Sequence, residues 1–144
     1  MFLVAEENDF LKIAQIEKDI FSDPWSVGAI SDAVANGNYL ILKATDGEDV
    51  VGYLNASVVA GEANINRIAV KETHRRRNIA ETLLKTAEEI LSGRAAAYFL
   101  EVRESNLPAI KLYEKLGYKT DGIRKNFYSA PTENAVLMSK EMKE

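Results

Sequence analysis

The clearest change of hydrophobic pattern in this 144-residue chain lies between residues 64 and 102. A β-branched run from Ile65 to Val70 predicts a strand, and the apolar run from Ala95 to Val102 predicts another. Between them, apolar residues recur with the 3.6-residue period of one buried helix face: Ile79, Leu83, Ala87, Ile90 and Leu91. Ser92-Gly93 is expected to end that helix. The passage predicts a βαβ unit with parallel strands and a right-handed crossover.

Two helices are predicted before this unit. Phe2 to Ala5 is a short strand candidate, and Asn8 or Asp9 is expected to cap the helix that follows it. The buried side of that helix is predicted to carry these residues: Phe10, Leu11, Ile13, Ala14, Ile16, Ile20 and Phe21. Ser26 is expected to cap a second helix, which ends at Asn36-Gly37.

The remaining apolar runs predict strands and one further helix. Tyr39 to Ala44 and Val50 to Val59 are typical of a hairpin, with a polar turn between them. After the βαβ unit, Ser105 or Asn106 is expected to begin a helix with Pro108 in its first turn, where the missing N–H is harmless. The last strands are predicted at three short pieces: residues 118–120, 127–128 and 135–138.

The order of predicted elements is β-α-α-β-β-β-α-β-α-β-β. This order favours a mixed α/β fold, in which a central sheet of about seven strands is flanked by four helices packed on both faces. A hydrophobic content of 47% and a charged content of 28% are those of an ordinary globular protein. We therefore expect one domain over residues 1–144, long enough to bury a core without disulfides.

Composition excludes several kinds of chemistry. The chain has no cysteine, so a disulfide, a thiol nucleophile and a thiolate metal site are all impossible, and its single His74 cannot form a histidine metal cluster. A net charge of −4 argues against bulk nucleic-acid binding. No apolar run approaches a membrane span, and the N-terminus becomes acidic at once, unlike a signal peptide. A cytoplasmic location is the expectation by elimination.

The basic turn Arg75-Arg76-Arg77-Asn78 stands immediately before a predicted helix. The first N–H groups of a helix are free and lie at the positive end of its dipole, so such a turn is a candidate anion site. Asn78 tolerates the left-handed region and Ala80 is small, which lets the backbone approach a phosphate. The alternative is a solvated run of arginines. No GxxxxGK[ST] or strand-linked GxGxxG pattern is present, so neither a P-loop nor a dinucleotide fold is indicated.

Glu101 and Tyr113 are the candidates for acid–base chemistry. In mixed sheets, ligands gather at the carboxyl ends of parallel strands, here Val70 and Val102. Desolvation raises the pKa of a partly buried carboxylate, which would suit Glu101 as a general base; alternatively it faces solvent or pairs with an arginine such as Arg103. Tyr113 lies in the second turn of the next helix, where its phenol could protonate a leaving thiolate or belong to the core.

The element order and four segments of sequence resemble the GNAT acyltransferases. The segments are Asn66-Arg67-Ile68-Ala69-Val70, Arg75-Arg76-Arg77-Asn78-Ile79-Ala80, Leu100-Glu101-Val102-Arg103-Glu104-Ser105-Asn106 and the run from Ala109 to Tyr118. The similarity runs nearly end to end. More narrowly, the chain is similar to the RimI-type enzymes, which acetylate the N-terminal alanine of ribosomal protein S18.

That resemblance implies acetyl-CoA as co-substrate, with no metal. The backbone at Ile68, Ala69 and Val70 would bind the pantetheine and acetyl group, and Asn106 would contact the pantetheine arm. The pyrophosphate would lie on the turn, whose members are Arg75, Arg76, Arg77, Asn78, Ile79 and Ala80. The family pattern R-x-x-G-x-G/A has glycine at the position of Asn78, so this position departs from it.

The resemblance also implies the acceptor side. Glu101 would be the general base and Tyr113 the general acid, and Trp25, Phe127 and Tyr128 would flank the first residues of a protein chain such as ribosomal protein S18. The alternatives are a GNAT enzyme that acts on lysine or a small amine, and a non-catalytic CoA-binding module. We expect a monomer or a weak dimer that binds neither nucleic acid nor membranes.

Overall fold

The computed structural model describes residues 1–142, whose strands form one seven-stranded sheet. The strands are β1 (Phe2–Val4), β2 (Tyr39–Asp46), β3 (Asp49–Val59), β4 (Glu62–Val70), β5 (Ala97–Arg103), β6 (Lys119–Tyr128) and β7 (Glu133–Glu141). The helices are α1 (Phe10–Ile20), α2 (Val27–Ala35), α3 (Ile79–Ile90) and α4 (Leu107–Lys115), with short 3-10 turns at Glu7–Asp9 and Glu72–His74. The predicted order and fold class are confirmed. Within residues 1–142, no helix combines the length and apolarity needed to cross a membrane.

The sheet has the strand order β1-β2-β3-β4-β5-β7-β6. Among the strands of residues 1–142, only β4 and β5 pair in parallel; the helix α3 connects them, as the βαβ prediction required. Their ladder is short, because it joins residues 62–65 to residues 97–100 and then stops. At this point β4 carries a bulge: Ala56 of β3 pairs with Ile65 and Asn55 pairs with Arg67, so Asn66 is the extra residue. A bulge bends and twists its strand, so β4 leaves β5 here and a gap opens between the two strands.

Alternate residues of the strands pack on opposite faces of the sheet. One face is covered by α3 and α4 and contains the larger apolar cluster, including Leu42, Leu54, Leu83, Tyr98 and Leu100. The other face is covered by α1 and α2 and contains the smaller cluster, including Ile13, Ile30, Ile41, Tyr53 and Ala69. Helices therefore pack on both faces, as predicted.

Side-chain hydrogen bonds confirm two of the three predicted helix caps. Ser26 Oγ accepts a hydrogen bond from the Ala29 N–H (3.0 Å), and Asn106 Oδ1 accepts one from the Ala109 N–H (3.3 Å). Asp9 occupies the N-cap position of α1, as expected, but its side chain bonds to the preceding 3-10 turn and not to the helix. Its carboxylate accepts from the Glu6 N–H (2.8 Å) and pairs with Lys43 (2.7 Å).

Some positions assigned to buried helix faces lie outside them. Leu11 is 74% exposed and Ile90 is 46% exposed, because each falls at the edge of its apolar stripe and the neighbouring positions make the contact with the sheet. Phe21 follows the last residue of α1. The pieces at residues 118–120 and 127–128 are largely one strand, β6, whose pairing with β7 is interrupted twice by irregularities.

The carboxylate of Glu17 on α1 is fully buried beneath the loop that joins α1 to α2. It accepts hydrogen bonds from the Trp25 backbone N–H (2.8 Å) and from the Tyr53 phenol on β3. The guanidinium of Arg67 on β4 lies 3.4 Å away. A buried charge is costly unless it is paired and hydrogen-bonded, so these three partners offset the cost and fix the loop to the sheet.

Tyr53→Phe is expected to lower the free energy of unfolding by about 1–3 kcal/mol, because the buried carboxylate loses a donor that water cannot replace. Urea denaturation followed by circular dichroism measures this change. Tyr39→Phe is the matched control, since no hydrogen bond of the Tyr39 hydroxyl is found within the described part of the chain. Equal effects of the two substitutions would contradict the structural role assigned to the phenol of Tyr53.

Candidate functional site

Two cavities open at the gap between β4 and β5. The first, the α4-side cavity, has a volume of about 480 Å³ and is lined by residues that include Ile68, Asn106 and Tyr113. The second, the β6-side cavity, has a volume of about 630 Å³ and is lined by residues that include Arg124 and Phe127. The residues that line both are Ser22, Asp23, Ile65, Asn66, Arg67, Leu100, Glu101 and Tyr128. The cavities therefore adjoin at the gap.

The β4 edge of the gap carries backbone groups that have no strand partner. The Lys71 N–H donates to the Val51 carbonyl of β3 (2.8 Å). Because backbone groups alternate in direction along a strand, Ala69 also faces β3, whereas Ile68 and Val70 face the gap. The Val70 carbonyl accepts a hydrogen bond from Arg75 Nε (3.1 Å). The N–H groups of Ile68 and Val70 are thus directed away from β3 and into the gap, where a ligand could accept from them; of the two residues, Ile68 lines the α4-side cavity.

Tyr113 and Asn106 reach the α4-side cavity from α4 and its start. Burial, with a smaller contribution from nearby Tyr128, raises the pKa of Tyr113 to about 12. The phenol therefore stays protonated at neutral pH and can donate a proton. Asn106 uses its side-chain oxygen to cap α4, which leaves its amide nitrogen as a donor. Asn106 can therefore act as a helix cap and contact a ligand at once.

Glu101 lies at the junction of the cavities and is not buried. Its neighbours Leu100 and Val102 point into the core, so the alternation of β5 directs Glu101 to the opposite face, where its side chain is 40% exposed. The expectation of partial burial is wrong for this reason. The partner is also different from the suggested Arg103, because Glu101 Oε1 lies 3.8 Å from Arg124 Nη1 on β6.

Aromatic rings form the β6 side of the larger cavity. Phe127 and Tyr128 meet edge to face with centroids 5.0 Å apart, and the Arg124 guanidinium lies 5.1 Å from the Phe127 centroid. Burial, with a smaller contribution from the charge of Glu101, raises the pKa of Tyr128 to about 12, against the opposing charges of Arg103 and Arg67. The two aromatics predicted for the acceptor side are therefore next to Glu101.

Trp25 lies elsewhere. Its ring packs edge to face on Tyr39, with centroids 6.3 Å apart, and against the cluster under α1 and α2. Trp25 lines neither cavity. The same loop instead contributes Phe21, Ser22 and Asp23 to the cavity walls. Trp25 therefore packs against the helices α1 and α2 and the sheet and does not flank the gap.

The basic turn has the backbone conformation that the anion-site prediction needs. Asn78 has φ 60° and ψ 20°, in the left-handed region, and Arg76 has φ 65°. The first backbone hydrogen bond of α3 runs from the Thr82 N–H to the Asn78 carbonyl (3.0 Å), so the three preceding amides of the helix point outward. All three arginines of the turn are exposed. The left-handed arginine was not foreseen, because that side chain gives no sign of it.

One acidic residue, Glu81, stands in the first turn of α3, where it would oppose an anion. Its carboxylate is held by Lys115 (2.8 Å) and by Lys85 (3.4 Å). The hydrogen bond from Lys115 is the main cause that lowers the pKa of Glu81. The two lysines offset its charge, so the turn remains suited to a phosphate. Among residues 1–142, no group of three or more metal-ligating side chains is found.

Two site residues, Arg67 and Arg124, were not identified from the sequence. Arg67 lies one residue past the bulge, with its side chain 14% exposed, and it lines both cavities. An arginine directly before the apolar run from Ile68 to Val70 was the available signal. Arg124 gave no signal, since arginine is common on an exposed strand such as β6.

The chain is similar in sequence and in fold to known acetyltransferases. The model of the acetyltransferase (GNAT) family matches residues 10–118. The [ribosomal protein bS18]-alanine N-acetyltransferase of Haemophilus ducreyi is 33% identical, over 92% of this chain and 94% of its own. That of Haemophilus influenzae is 34% identical, over 93% of both chains. The crystal structure of the Escherichia coli ribosomal-protein-S18-alanine N-acetyltransferase has a TM-score of 0.90 at 29% identity and covers 100% of this chain and 94% of that one.

Asn78→Gly is expected to leave the dissociation constant of CoA unchanged or to lower it, because glycine adopts the left-handed conformation without a Cβ penalty. Isothermal titration calorimetry with CoA measures the constant. Asn126→Gly is the matched control, since Asn126 is also left-handed (φ 53°) but lies on β6. A dissociation constant raised about tenfold in the Asn78 variant alone would show that the turn does not hold the ligand as described.

Proposed function

The chain belongs to the acetyltransferase (GNAT) family and is an acetyl-CoA-dependent N-acetyltransferase, and we propose that it acetylates the N-terminal alanine of ribosomal protein S18. The observation that supports this most strongly is the position of Glu101, a carboxylate that lines both cavities at the gap. In this proposal the α4-side cavity takes the acetyl donor and the β6-side cavity takes the N-terminus of the acceptor. The activity for which the Haemophilus relatives are named supports the choice of acceptor.

The residues around the α4-side cavity fit acetyl-CoA, which supplies an activated thioester. The free amides of α3 and the arginines of the turn suit a pyrophosphate. The N–H groups of Ile68 and Val70 and the amide nitrogen of Asn106 suit the carbonyl oxygens of pantetheine and the acetyl group. The backbone groups of Ala69 face β3 and cannot bind the ligand directly. We assign Ala69 a packing role, in which its small, buried side chain fixes the strand beside the ligand.

We assign the proton transfers to two residues. Glu101 removes a proton from the acceptor ammonium, directly or through a water molecule, so that the neutral amine forms the new C–N bond. Backbone N–H groups on the open β4 edge stabilise the negative charge that develops on the carbonyl oxygen. Tyr113 then gives its proton to the departing sulfur as the C–S bond breaks. The amine nitrogen loses its second proton as the amide forms; that proton restores Tyr113, directly or through water, and the proton taken by Glu101 returns to solvent.

The ordinary pKa values of amines favour an N-terminus over a lysine. An α-amino group has a reference pKa of about 7.7–8.0 and a lysine about 10.4. Near pH 7, roughly a tenth of the α-amino groups are neutral, whereas the neutral fraction of lysine side chains is below about a thousandth. One exposed glutamate with an arginine 3.8 Å away is a modest base, which is better matched to the α-amine.

Glu101 and Tyr113 are expected to act in different steps. Glu101→Gln should lower kcat most strongly at low pH, where the ammonium is hardest to deprotonate, by about a hundredfold. Tyr113→Phe should lower kcat at every pH with little change in acetyl-CoA affinity, because only protonation of the leaving group is removed. Steady-state release of the CoA thiol across the pH range measures both.

Glu104→Gln is the control for charge, because Glu104 is also exposed and lies three residues from Glu101, outside the cavity linings. It should retain wild-type kcat. A Tyr113→Phe variant that matches the wild type throughout the pH range would return Tyr113 to a packing role. An equal loss in the Glu104 and Glu101 variants would remove the base assignment.

The acceptor is tested with two peptides of the same sequence, which begins with alanine. One has a free α-amine, and the other is blocked there and carries an internal lysine. Mass spectrometry after incubation with acetyl-CoA is expected to find the acetyl group on the free-terminus peptide at least about a hundredfold faster, following the difference in neutral amine. Preferential modification of the blocked peptide would instead support a lysine acetyltransferase and leave the donor site unaffected.

A further inference from the structure

We propose that Arg103 is a positioning residue for the acceptor, because it holds the loop between β6 and β7 (residues 129–132) against the gap. The inference rests on the proposed function, since it concerns the acceptor side of the same site. Arg103 is the last residue of β5, two positions after Glu101. Its side chain is 27% exposed and lines the α4-side cavity.

One guanidinium makes four contacts with this loop and its two ends. Arg103 Nη1 donates to the Pro131 carbonyl (2.9 Å), and Nη2 donates to the Ser129 carbonyl (3.2 Å). Nη1 also lies 3.3 Å from Glu133 Oε1, and the guanidinium carbon lies 4.5 Å from the centroid of the Tyr128 ring. The planar fork of arginine permits this combination, which a lysine ammonium could not reproduce.

The loop itself has a conformation that needs external support. Ala130 has φ 51°, in the left-handed region, which costs a residue with a Cβ about 1–2 kcal/mol. Such residues persist only where the surroundings determine them. The two carbonyls that flank Ala130, those of Ser129 and Pro131, are the ones that Arg103 binds. The conformation of the loop therefore depends on this side chain.

A second arginine holds the opposite wall in a similar way. Arg67 Nη2 donates to the Asp23 carbonyl (2.8 Å) and lies 3.0 Å from the Asp23 carboxylate, while its guanidinium lies 4.2 Å from the centroid of the Phe21 ring. Ser22 Oγ then donates to the Ser129 carbonyl (3.1 Å), which joins the two loops across the gap. Arg67, which pairs with the buried Glu17, holds the loop between α1 and α2. Arg103 holds the loop that contains Ser129.

Through these contacts, Arg103 fixes the positions of residues that line the β6-side cavity, the cavity proposed for the acceptor. Tyr128 and Ser129 line the β6-side cavity, and Tyr128 also approaches Glu101. Ala130, Pro131 and Arg103 itself line the α4-side cavity, but acetyl-CoA is assigned there to the pyrophosphate turn and the open edge of β4, which belong to other segments of the chain. Loss of Arg103 should therefore weaken use of the acceptor far more than binding of acetyl-CoA.

The test compares Arg103→Gln, Arg103→Lys and the control Arg94→Gln. Arg94 also donates to one loop carbonyl, that of Gly37 (3.0 Å), but lies outside the cavity linings. Arg103→Gln is expected to raise KM for the acceptor peptide about tenfold, with KM for acetyl-CoA changed less than about twofold. Arg103→Lys should recover only part of the loss, and Arg94→Gln should behave as the wild type.

Hydrogen exchange measured by mass spectrometry gives a readout that needs no acceptor. Residues 129–132 should exchange faster in Arg103→Gln than in the wild type, while α3 and β4 should keep their protection. Unchanged exchange in the loop, an unchanged acceptor KM, or an equal rise in both KM values would each overturn the proposal. If the wild type prefers the lysine peptide, the N-terminal assignment fails, and Arg103 is tested against that peptide with the same expectations.

Discussion

The separation of β4 from β5 is the constraint on which the site depends. Two parallel strands that pair for four residues and then part leave backbone donors on one edge without a strand partner. An unpaired N–H group inside a protein is costly, so a ligand that accepts from it gains affinity and a defined position. The bulge at Asn66 produces this opening, while β4 pairs with β3 on both sides of the bulge. The gap can therefore bind a ligand without weakening the rest of the sheet.

Charged side chains stabilise the walls of that gap. Glu17 and Arg67 form a buried pair beneath the first loop, and Arg103 binds the carbonyls of the second. Loops have few apolar contacts of their own, so their order depends on such bonds. Each arginine also lies over an aromatic ring, which adds a cation–π contact to the hydrogen bonds. The two loops can thus form a fixed surface beside Glu101 although neither belongs to a helix or strand.

Much of the architecture could be predicted from the sequence, because it depends on local patterns. The periods of 3.6 and 2 identified all four helices and the sheet, and Ser26 and Asn106 cap their helices as their residue types suggest. The left-handed conformation of Asn78 followed from its tolerance for that region together with its place before a helix. Errors arose at the edges of the patterns: Leu11 and Ile90 fall outside the buried faces, and the side chain of Asp9, although at the N-cap of α1, bonds to the preceding turn.

By itself, the sequence determined the order of the elements, the parallel pair and the basic turn, since each of these is specified by residues close together in the chain. Only the tertiary structure decided the surroundings of Glu101, because its partner Arg124 comes from β6 and its exposure depends on what packs over its face of β5. The same holds for Trp25, which packs on Tyr39 instead of lining a cavity. Contacts between residues that are far apart in sequence follow from how the strands are ordered, and no local pattern encodes that order.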